Sequence, residues 1–404
     1  MNVLWLKVGG LWPPHTGGRL RSLHILEQVA RHHRVELLTT HSESDDHAGL
    51  AERLEGRAEL ASFPWRAPKH GGAAFAHALV RSWGTPLPVD LWRWRVPELR
   101  RAAARRLAAG TVDVCVADFL AAMPNLPFEL RGVPLVHFSH NVEHSIWRRL
   151  AAVETRPWRR LALEIEWRKM RRFEALSTSR ASLTLAVSDA DRDCLAALAP
   201  RAQITAIPTG VDPSYFRPGG GAETPGSLVY SGSMDWYPNE DAVLHFVTSI
   251  LPRVQREVPG TTLTVVGRDP SPRLRAAAAG AGVRLTGRVD DVRPHVARAA
   301  VFVVPLRVGG GTRLKIFEAL AMGKAVVSTS VGAEGLPLVP GEHFVCCDEP
   351  ADFAHSVAAL LNDPRRRSRL GRAGRRLVEE RFSWAQVGRR FASNLEEVSW
   401  SRCA

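Results

Sequence analysis

Short apolar runs alternate along the chain with longer stretches in which apolar residues recur at helical spacing. Short runs bounded by turn residues are typical of buried strands, and the helical stretches between them are typical of crossovers that join parallel strands. The first half of the chain therefore predicts one doubly wound α/β domain. Its expected strands are 3–8, 35–39, 112–117, 135–138 and 183–187, and its expected helices are 19–31, 97–109 and 147–176.

The pattern begins again after a segment rich in glycine and proline, which suits an exposed linker. We expect a first domain at 1–210, a linker at 211–226, a second domain at 227–383 and a last helix at 384–404. The strands expected in the second domain are 228–231, 262–266, 283–286, 301–304 and 325–328. Pro252 should bend or divide the helix in which it lies, because it lacks an amide donor. The fold class is α/β, with two Rossmann-like doubly wound domains that face each other across a cleft.

The composition excludes several classes of protein. A chain of 404 residues, 45% hydrophobic and 24% charged, is too apolar to be disordered and long enough for two or three packed domains. The net charge of +13 is carried mostly by arginines spread over helical stretches, and no nucleic-acid reader motif accompanies it. We therefore expect no nucleic-acid partner.

The cysteines and the apolar runs bear on where the protein works. Five cysteines without metal-ligand spacing favour a reducing compartment. We expect neither a signal peptide nor a spanning helix, since no apolar run is long enough. The expected location is cytoplasmic. The basic segment 147–172, which bears tryptophan, could also touch the anionic inner face of a membrane, although a solvated helix face explains it as well.

Three consecutive glycines, 309–311, follow an apolar run and precede a helical stretch. Converging amides and a helix N-terminus favour a phosphate or diphosphate at such a place. Arg313 and Lys315 oppose the helix dipole in the first turn, which also indicates an anionic ligand. Glu318 lies among apolar residues and would accept hydrogen bonds from ribose hydroxyls, or it could form an ordinary helix pair with Lys315.

The whole string from 309 to 335 resembles the donor-site signature of the retaining group 1 glycosyltransferases, also called family four, of the GT-B fold. Further matches stand in family order at 13–19, 187–188, 207–212 and 229–233. The resemblance implies that a sugar moves from a nucleotide-sugar donor to a hydroxyl acceptor with retention of configuration, without a metal or other cofactor. The acceptor would be a glycan, a lipid-linked compound or a small molecule.

The resemblance also implies roles for particular residues. Expected to contact the substrates are Gly17, Gly18, Gly232, Ser233, Gly310, Gly311, Thr312 and Glu318. Arg313 and Lys315 would stabilise the leaving diphosphate. His140 would contact the transferred sugar or assist the hydroxyl's proton. Ordinary strand-to-helix turns would explain the first two glycines equally well, and a structural hydrogen bond would explain the histidine.

Two departures from the family pattern change what these residues must do. Gly310 stands where the family has the first of two glutamates eight positions apart, while Glu318 matches the second. The loop 231–241 carries no basic residue, whereas the family commonly draws an arginine and a lysine from it. We infer that Arg313 and Lys315 supply the missing positive charge.

Two other interpretations stay open. The string His140-Asn141-Val142-Glu143-His144 matches the H-x-x-E-H pattern of inverted zinc peptidases, which requires both histidines on one helix. Relatives of the same fold that are not transferases, namely sugar-nucleotide epimerases and binding-only proteins, form the stronger alternative.

Arg313→Met tests the inferred transfer of charge to the glycine loop. We expect donor affinity and turnover to fall steeply, by a factor of about 100 or more, because removing one contact to the developing negative charge typically costs about 3 kcal/mol. Steady-state kinetics with the donor measure this. Near-normal kinetics would reject the inference.

Overall fold

The computed structural model describes residues 1–14, 16–68, 73–154, 156–308 and 314–400. The chain forms two compact units. Unit 1 joins Met1–Pro208 to the segment that begins at Val387, and unit 2 is Thr209–Gln386. Among the described residues, no helix combines the length and the apolar composition that crossing a bilayer requires.

Unit 1 contains a parallel sheet of seven strands with helices between them. Its strands are β1 (Asn2–Lys7), β2 (Arg34–His41), β3 (Ala58–Pro64), β4 (Val114–Asp118), β5 (Leu135–Phe138), β6 (Leu183–Ala186) and β7 (Ile204–Ala206). Its helices are α1 (Gly17–Val29), α2 (His47–Leu54), α3 (Ala73–Trp83), α4 (Val89–Trp92), α5 (Pro97–Ala108), α6 (Glu143–Val153), α7 (Pro157–Arg180) and α8 (Asp189–Leu198). A 3-10 helix follows β4 at Leu120–Asn125.

Unit 2 contains a parallel sheet of six strands. Its strands are β8 (Ser227–Ser231), β9 (Thr262–Val266), β10 (Val283–Leu285), β11 (Val301–Val304), β12 (Ala325–Ser328) and β13 (Val345–Cys346). Its helices are α9 (Tyr237–His245), α10 (Leu251–Glu257), α11 (Pro272–Ala278), α12 (Arg293–Arg298), α13 (Leu314–Ala321), α14 (Pro350–Asn362) and α15 (Pro364–Leu377). Helix α16 (Trp384–Trp400) begins in unit 2 and continues into unit 1. π-Helical turns stand at Phe246–Ile250 and Val378–Phe382.

Both sheets have the strand order of doubly wound folds, which confirms the predicted fold class of two Rossmann-like domains. In unit 1 the order is β3-β2-β1-β4-β5-β6-β7, and in unit 2 it is β10-β9-β8-β11-β12-β13. The chain direction across the sheet reverses between β1 and β4 and again between β8 and β11. Ligands of open α/β sheets bind beyond the carboxyl ends of the strands at such a switch point.

The structure corrects one predicted helix and confirms one predicted break. A single helix at 147–176 was wrong, because α6 ends at Val153 and Pro157 starts a new helix, α7. Pro252 does divide its helix. A π-helical turn ends at Ile250, and α10 then begins with Pro252 as its second residue, where the missing amide costs no hydrogen bond.

Close packing of two glycines joins α15 to the end of α13. A Cβ atom on Gly371 would lie 1.9 Å from the carbonyl oxygen of Gly323, so the helix can approach only because the side chain is absent. At Gly220, in contrast, a Cβ would meet nothing within 4 Å.

Gly371→Ala should therefore destabilise the protein by about 1 to 3 kcal/mol, because overpacking outweighs the roughly 1 kcal/mol by which alanine ordinarily favours a helix. Thermal or denaturant unfolding measures the change, and Gly220→Ala is the matched control that should leave it near zero. A stabilised Gly371→Ala variant would contradict the packing described here.

Candidate active site

Lys315 stands at the switch point of unit 2. Its Nζ donates hydrogen bonds to Tyr230 Oη and Asn239 Oδ1, each at 2.9 Å, and lies 4.3 Å from the centre of the Tyr230 ring. A Cβ on Gly232 would lie 2.8 Å from the same Nζ, so glycine makes room for the ammonium group. The structure thus brings together two of the predicted site residues, one on α13 and one in the loop after β8.

A second cation reaches this loop from the next strand. Arg268 follows β9, and its Nε donates to Ser233 Oγ at 2.8 Å while its Nη2 lies 3.0 Å from Asp235 Oδ2. The sequence prediction missed Arg268 because it belongs to no matched motif. The position of Arg268, directly after a strand that lies next to β8, is the feature of the sequence that could have indicated its role.

Glu318 lies one turn after Lys315 on α13 and is only partly exposed. Burial raises the pKa of Glu318 to about 7, even though the charge of Lys315 acts in the opposite direction. Within the described ranges no group donates a hydrogen bond to this carboxylate. A ligand with hydroxyl groups could therefore donate the hydrogen bonds that the Glu318 carboxylate lacks. Gly310, Gly311, Thr312 and Arg313 lie outside the described residues.

Lys324, close by in sequence, has a different environment. Its Nζ donates to Glu223 Oε1 at 2.9 Å and to the carbonyls of Ala297 and Ala299 at 2.7 and 2.8 Å, and the residue is 6% exposed. Lys324 therefore ties the segment before β8 to the body of unit 2. It is a structural lysine.

A buried carboxylate organises the switch point of unit 1. Asp118, the last residue of β4, is fully buried and accepts hydrogen bonds from Trp5 Nε1 at 3.0 Å, Ser22 Oγ at 3.0 Å and His140 Nε2 at 2.8 Å. Burial alone would raise the pKa of Asp118, but the charge of Lys7 and these hydrogen bonds keep it below its ordinary value. Asp118 is thus a buried anion.

His140 is neutral in this setting because burial lowers its pKa to about 3. A carboxylate only accepts, so the proton sits on Nε2 and the lone pair on Nδ1. A hydroxyl can donate to that lone pair, whereas so weak a base is poorly suited to take a proton from it. The geometry therefore favours sugar contact over proton transfer for His140.

Phe119 connects His140 to the predicted glycine loop. Its ring stacks on His140 with the centroids 3.7 Å apart, and a Cβ on Gly18 would lie 2.5 Å from Phe119 Cζ. Phe119 has φ 71° and ψ 153°, a strained region that non-glycine residues rarely occupy. Gly17 begins α1 beside it. The ring of Phe119 accounts for the glycine at 18 without any ligand, so a substrate contact by Gly17 or Gly18 stays a prediction.

Lys7 lines a cavity of about 240 Å³ at the same switch point. It is 3% exposed, its Nζ lies 3.9 Å from the centre of the Phe119 ring, and burial lowers its pKa. No hydrogen-bond acceptor for this Nζ is found in the described part of the chain. Trp94 and Glu143 also line the cavity. Burial and the negative charges of Glu174 and Asp90 raise the pKa of Glu143 to about 7.

The H-x-x-E-H interpretation is not favoured by this geometry. His140 precedes α6, which begins at Glu143, so the two histidines do not share a helix. His144 Nδ1 pairs with Glu174 at 2.6 Å, while His140 pairs with Asp118. Among the described residues, no three potential metal ligands of the His, Cys, Asp and Glu types cluster together.

Family profiles match both halves of the chain. The profile described as Glycosyltransferase Family 4 matches residues 24–215, and the one described as Glycosyl transferases group 1 matches residues 225–363. The chain belongs to the group 1, family 4 glycosyltransferases.

Known relatives fit this assignment at modest identity. Glycogen synthase of Mycobacterium tuberculosis is 28% identical over 299 residues, which are 67% of this chain and 65% of that protein. Phosphatidyl-myo-inositol mannosyltransferase of the same organism is 32% identical over 209 residues, 48% of this chain and 54% of that protein. The matched part is therefore less than two thirds of the length of either relative.

Solved structures share the fold over almost the whole chain. Sucrose-phosphate synthase from Thermosynechococcus elongatus has a TM-score of 0.71 at 16% identity and covers 99% of both chains. Anabaena HepE in complex with UDP and glucose has a TM-score of 0.64 at 16% identity, over 98% of this chain and 100% of that one. These likenesses confirm the GT-B fold.

The raised pKa of Glu318 predicts a pH dependence. A carboxyl whose pKa is raised on folding contributes stability at low pH and loses it as the pH rises through its folded pKa, so the ligand-free protein should lose stability between about pH 4.5 and pH 7. Glu318→Gln should flatten that part of the curve. Thermal unfolding across this range, compared between the two proteins, measures the difference.

Hydroxyl donors from a ligand would favour the ionised form of Glu318. The affinity for whichever of UDP, GDP or ADP binds should therefore rise by up to about tenfold over the same pH range, and less so for Glu318→Gln. Parallel pH profiles for the two proteins would contradict the assignment of Glu318.

Proposed function

We propose that this protein transfers a sugar from a nucleotide-sugar donor to a hydroxyl acceptor, with retention of configuration and without a metal ion. The observation that carries the proposal is the arrangement at the switch point of unit 2. There Lys315 is held against Gly232 by Tyr230 and Asn239, and Glu318 follows one turn later without a hydrogen-bond donor from the described chain. The cation of Lys315 would contact the diphosphate of the donor, and the carboxylate of Glu318 would contact its ribose.

In the proposed reaction, positive charge from the protein stabilises the diphosphate as the anomeric bond breaks. Lys315 and Arg313 provide that charge, while Arg268, whose own charge is paired with Asp235, holds Ser233 by a hydrogen bond. Such preorganised contacts typically contribute about 3 kcal/mol each to lowering the barrier. This division of labour explains how the loop 231–241 can lack basic residues of its own.

The acceptor is proposed to enter the cavity of unit 1. Lys7 can donate to a hydroxyl, Glu143 can accept from one, and Trp94 offers an apolar face of the kind that stacks on sugars. His140 Nδ1 would accept from a hydroxyl of the transferred sugar. A glycan, a lipid-linked compound and a small molecule all carry such hydroxyls.

The relatives support a nucleotide-sugar donor without selecting one. The structure of HepE holds UDP and glucose, while a mannosyltransferase from Corynebacterium glutamicum, 26% identical over 214 residues, is described as dependent on GDP-mannose. The contacts to the base must therefore be found by experiment.

Thermal-shift screening against UDP-, GDP- and ADP-sugars in the presence of a chelator tests the proposal. We expect one class of donor to stabilise the protein, and product analysis with hydroxyl acceptors to show a new glycosidic bond. The anomeric configuration of that product, read by NMR, tests retention. An epimerised nucleotide sugar, or stabilisation without any product, would support the non-transferase alternatives instead.

Two lysines of unit 2 offer a matched pair of variants. Lys315→Met should weaken donor binding about 100-fold while leaving the fold intact, because it removes a contact to the diphosphate. Lys324→Met should leave donor affinity unchanged but lower the free energy of unfolding by about 2 to 4 kcal/mol, because the buried carbonyls of Ala297 and Ala299 lose their hydrogen-bond donor. Calorimetric titration and thermal unfolding measure the two effects. Equal behaviour of the variants would refute the role of Lys315.

A further inference from the structure

Helix α7 packs an apolar side against the core of unit 1, yet it also exposes apolar side chains and buries charged ones, unlike an ordinary surface helix. Trp158, Leu161, Ile165 and Leu176 are 66%, 63%, 37% and 61% exposed. Their spacing places them within about 60° of one another around the helix axis, on one outward stripe. The helix has 24 residues and is about 36 Å long. The stripe is apolar from Trp158 to Ile165, and Lys169 and Arg172 share its sector before Leu176.

The inward side of α7 is held in place by two carboxylates. Glu166 accepts hydrogen bonds from Val89 N at 2.6 Å and Trp83 Nε1 at 3.1 Å. Glu174 accepts from the amides of Glu143 and His144 at 2.8 and 3.1 Å. Rotating the helix to hide its apolar stripe would break all of these bonds. The exposure of the stripe is therefore built into the packing of unit 1.

Helices α3 and α6, which both contact α7, also expose apolar side chains. Trp83 of α3, which bonds to Glu166, is 49% exposed, and Val80 one turn before it is 67% exposed. On α6, Ile146 and Leu150 are 39% and 48% exposed. Eight of the fifteen large hydrophobic side chains that are exposed in the described residues thus lie on α3, α6 and α7. We call these eight residues the outer apolar face.

Arginines accompany the outer apolar face. Those exposed on α6 and α7 that form no salt bridge within the described ranges are Arg148, Arg149, Arg159, Arg160, Arg171 and Arg172. Arg159 packs over the Trp158 ring, 4.9 Å from its centre. The acids of α7 do not offset them at the surface, because Glu166 and Glu174 are buried and Glu164 pairs with Arg168.

We propose that the outer apolar face is a docking surface for an anionic lipid bilayer, on which α7 lies parallel to the membrane plane. Tryptophan, leucine and isoleucine would enter the headgroup region, and the arginines would contact lipid phosphates. Apolar residues together with arginines on the exposed side of a long helix suit a plane of lipids better than they suit a peptide, which needs a groove. The proposal does not depend on the proposed transfer reaction.

Co-sedimentation of the full-length protein with vesicles tests this. The vesicles contain phosphatidylcholine alone, or phosphatidylcholine and phosphatidylglycerol in equal amounts, at low and at high salt. We expect binding to the anionic vesicles at least about tenfold stronger than to the neutral ones, and weaker at high salt. Equal binding to both compositions, or no binding to either, would overturn the proposal.

Two sets of variants separate the apolar from the charged contribution. Replacing Trp158, Leu161 and Ile165 together by serine should reduce binding to the anionic vesicles about tenfold or more. The matched control is Val339→Ser, which removes an apolar side chain that is 50% exposed in unit 2.

The charge set replaces four arginines of α7 by glutamine and is compared with four exposed arginines of α15. The α7 set is Arg159, Arg160, Arg171 and Arg172, and the α15 set is Arg365, Arg369, Arg372 and Arg376. Only the α7 set should lose binding and its salt dependence. Equal loss in both sets would mean nonspecific charge attraction and overturn the proposal, as would a dimer in light scattering that the serine variant dissociates without any change in vesicle binding.

Discussion

The buried carboxylate of Asp118 is the interaction on which the site of unit 1 depends. An ionised carboxylate in the protein interior is costly unless hydrogen bonds satisfy it, so Trp5, Ser22 and His140 must present their donors to it. That requirement sets the rotation of α1 through Ser22. It also sets the tautomer of His140, and with it the ring on which Phe119 stacks.

Unit 2 has the same strand order but an opposite charge at its switch point. Lys315 donates there to the neutral groups of Tyr230 and Asn239, and these two hydrogen bonds orient its ammonium group. Lys324, nine residues later, is instead buried and donates to Glu223 and two carbonyls. Lys315 therefore lies beside the loop after β8, whereas Lys324 fastens the segment before that strand.

The sequence predicted the fold well where strands are covered on both faces. The ranges expected for Leu135–Phe138 and Val301–Val304 were confirmed to the residue, because central parallel strands appear as nearly unbroken apolar runs. Edge strands β3, β7 and β13 were missed. The first two are mostly half-buried, as at Ile204–Ala206, and the third has only two residues.

The candidate site was predictable where a local motif carries the chemistry, as at Lys315 and Glu318. It was not predictable where the fold alone brings residues together. Asp118 and Lys7 are lone charged residues at the ends of two strands, and only the register that pairs them across β1 and β4 makes them neighbours. Arg268 likewise comes close to the loop after β8 only because β8 pairs with β9.

Helix α7 links the surface proposed to bind lipid to the neighbourhood of His140. Glu174, on its inward side, binds the amides of Glu143 and His144, and so holds the start of α6 three residues after His140. Glu143 in turn lines the cavity proposed for the acceptor. Glu174, which helps to keep the apolar stripe outward, is thus also the group that positions Glu143 at this cavity. The helix could not turn its outward face inward without breaking the hydrogen bonds that hold the start of α6.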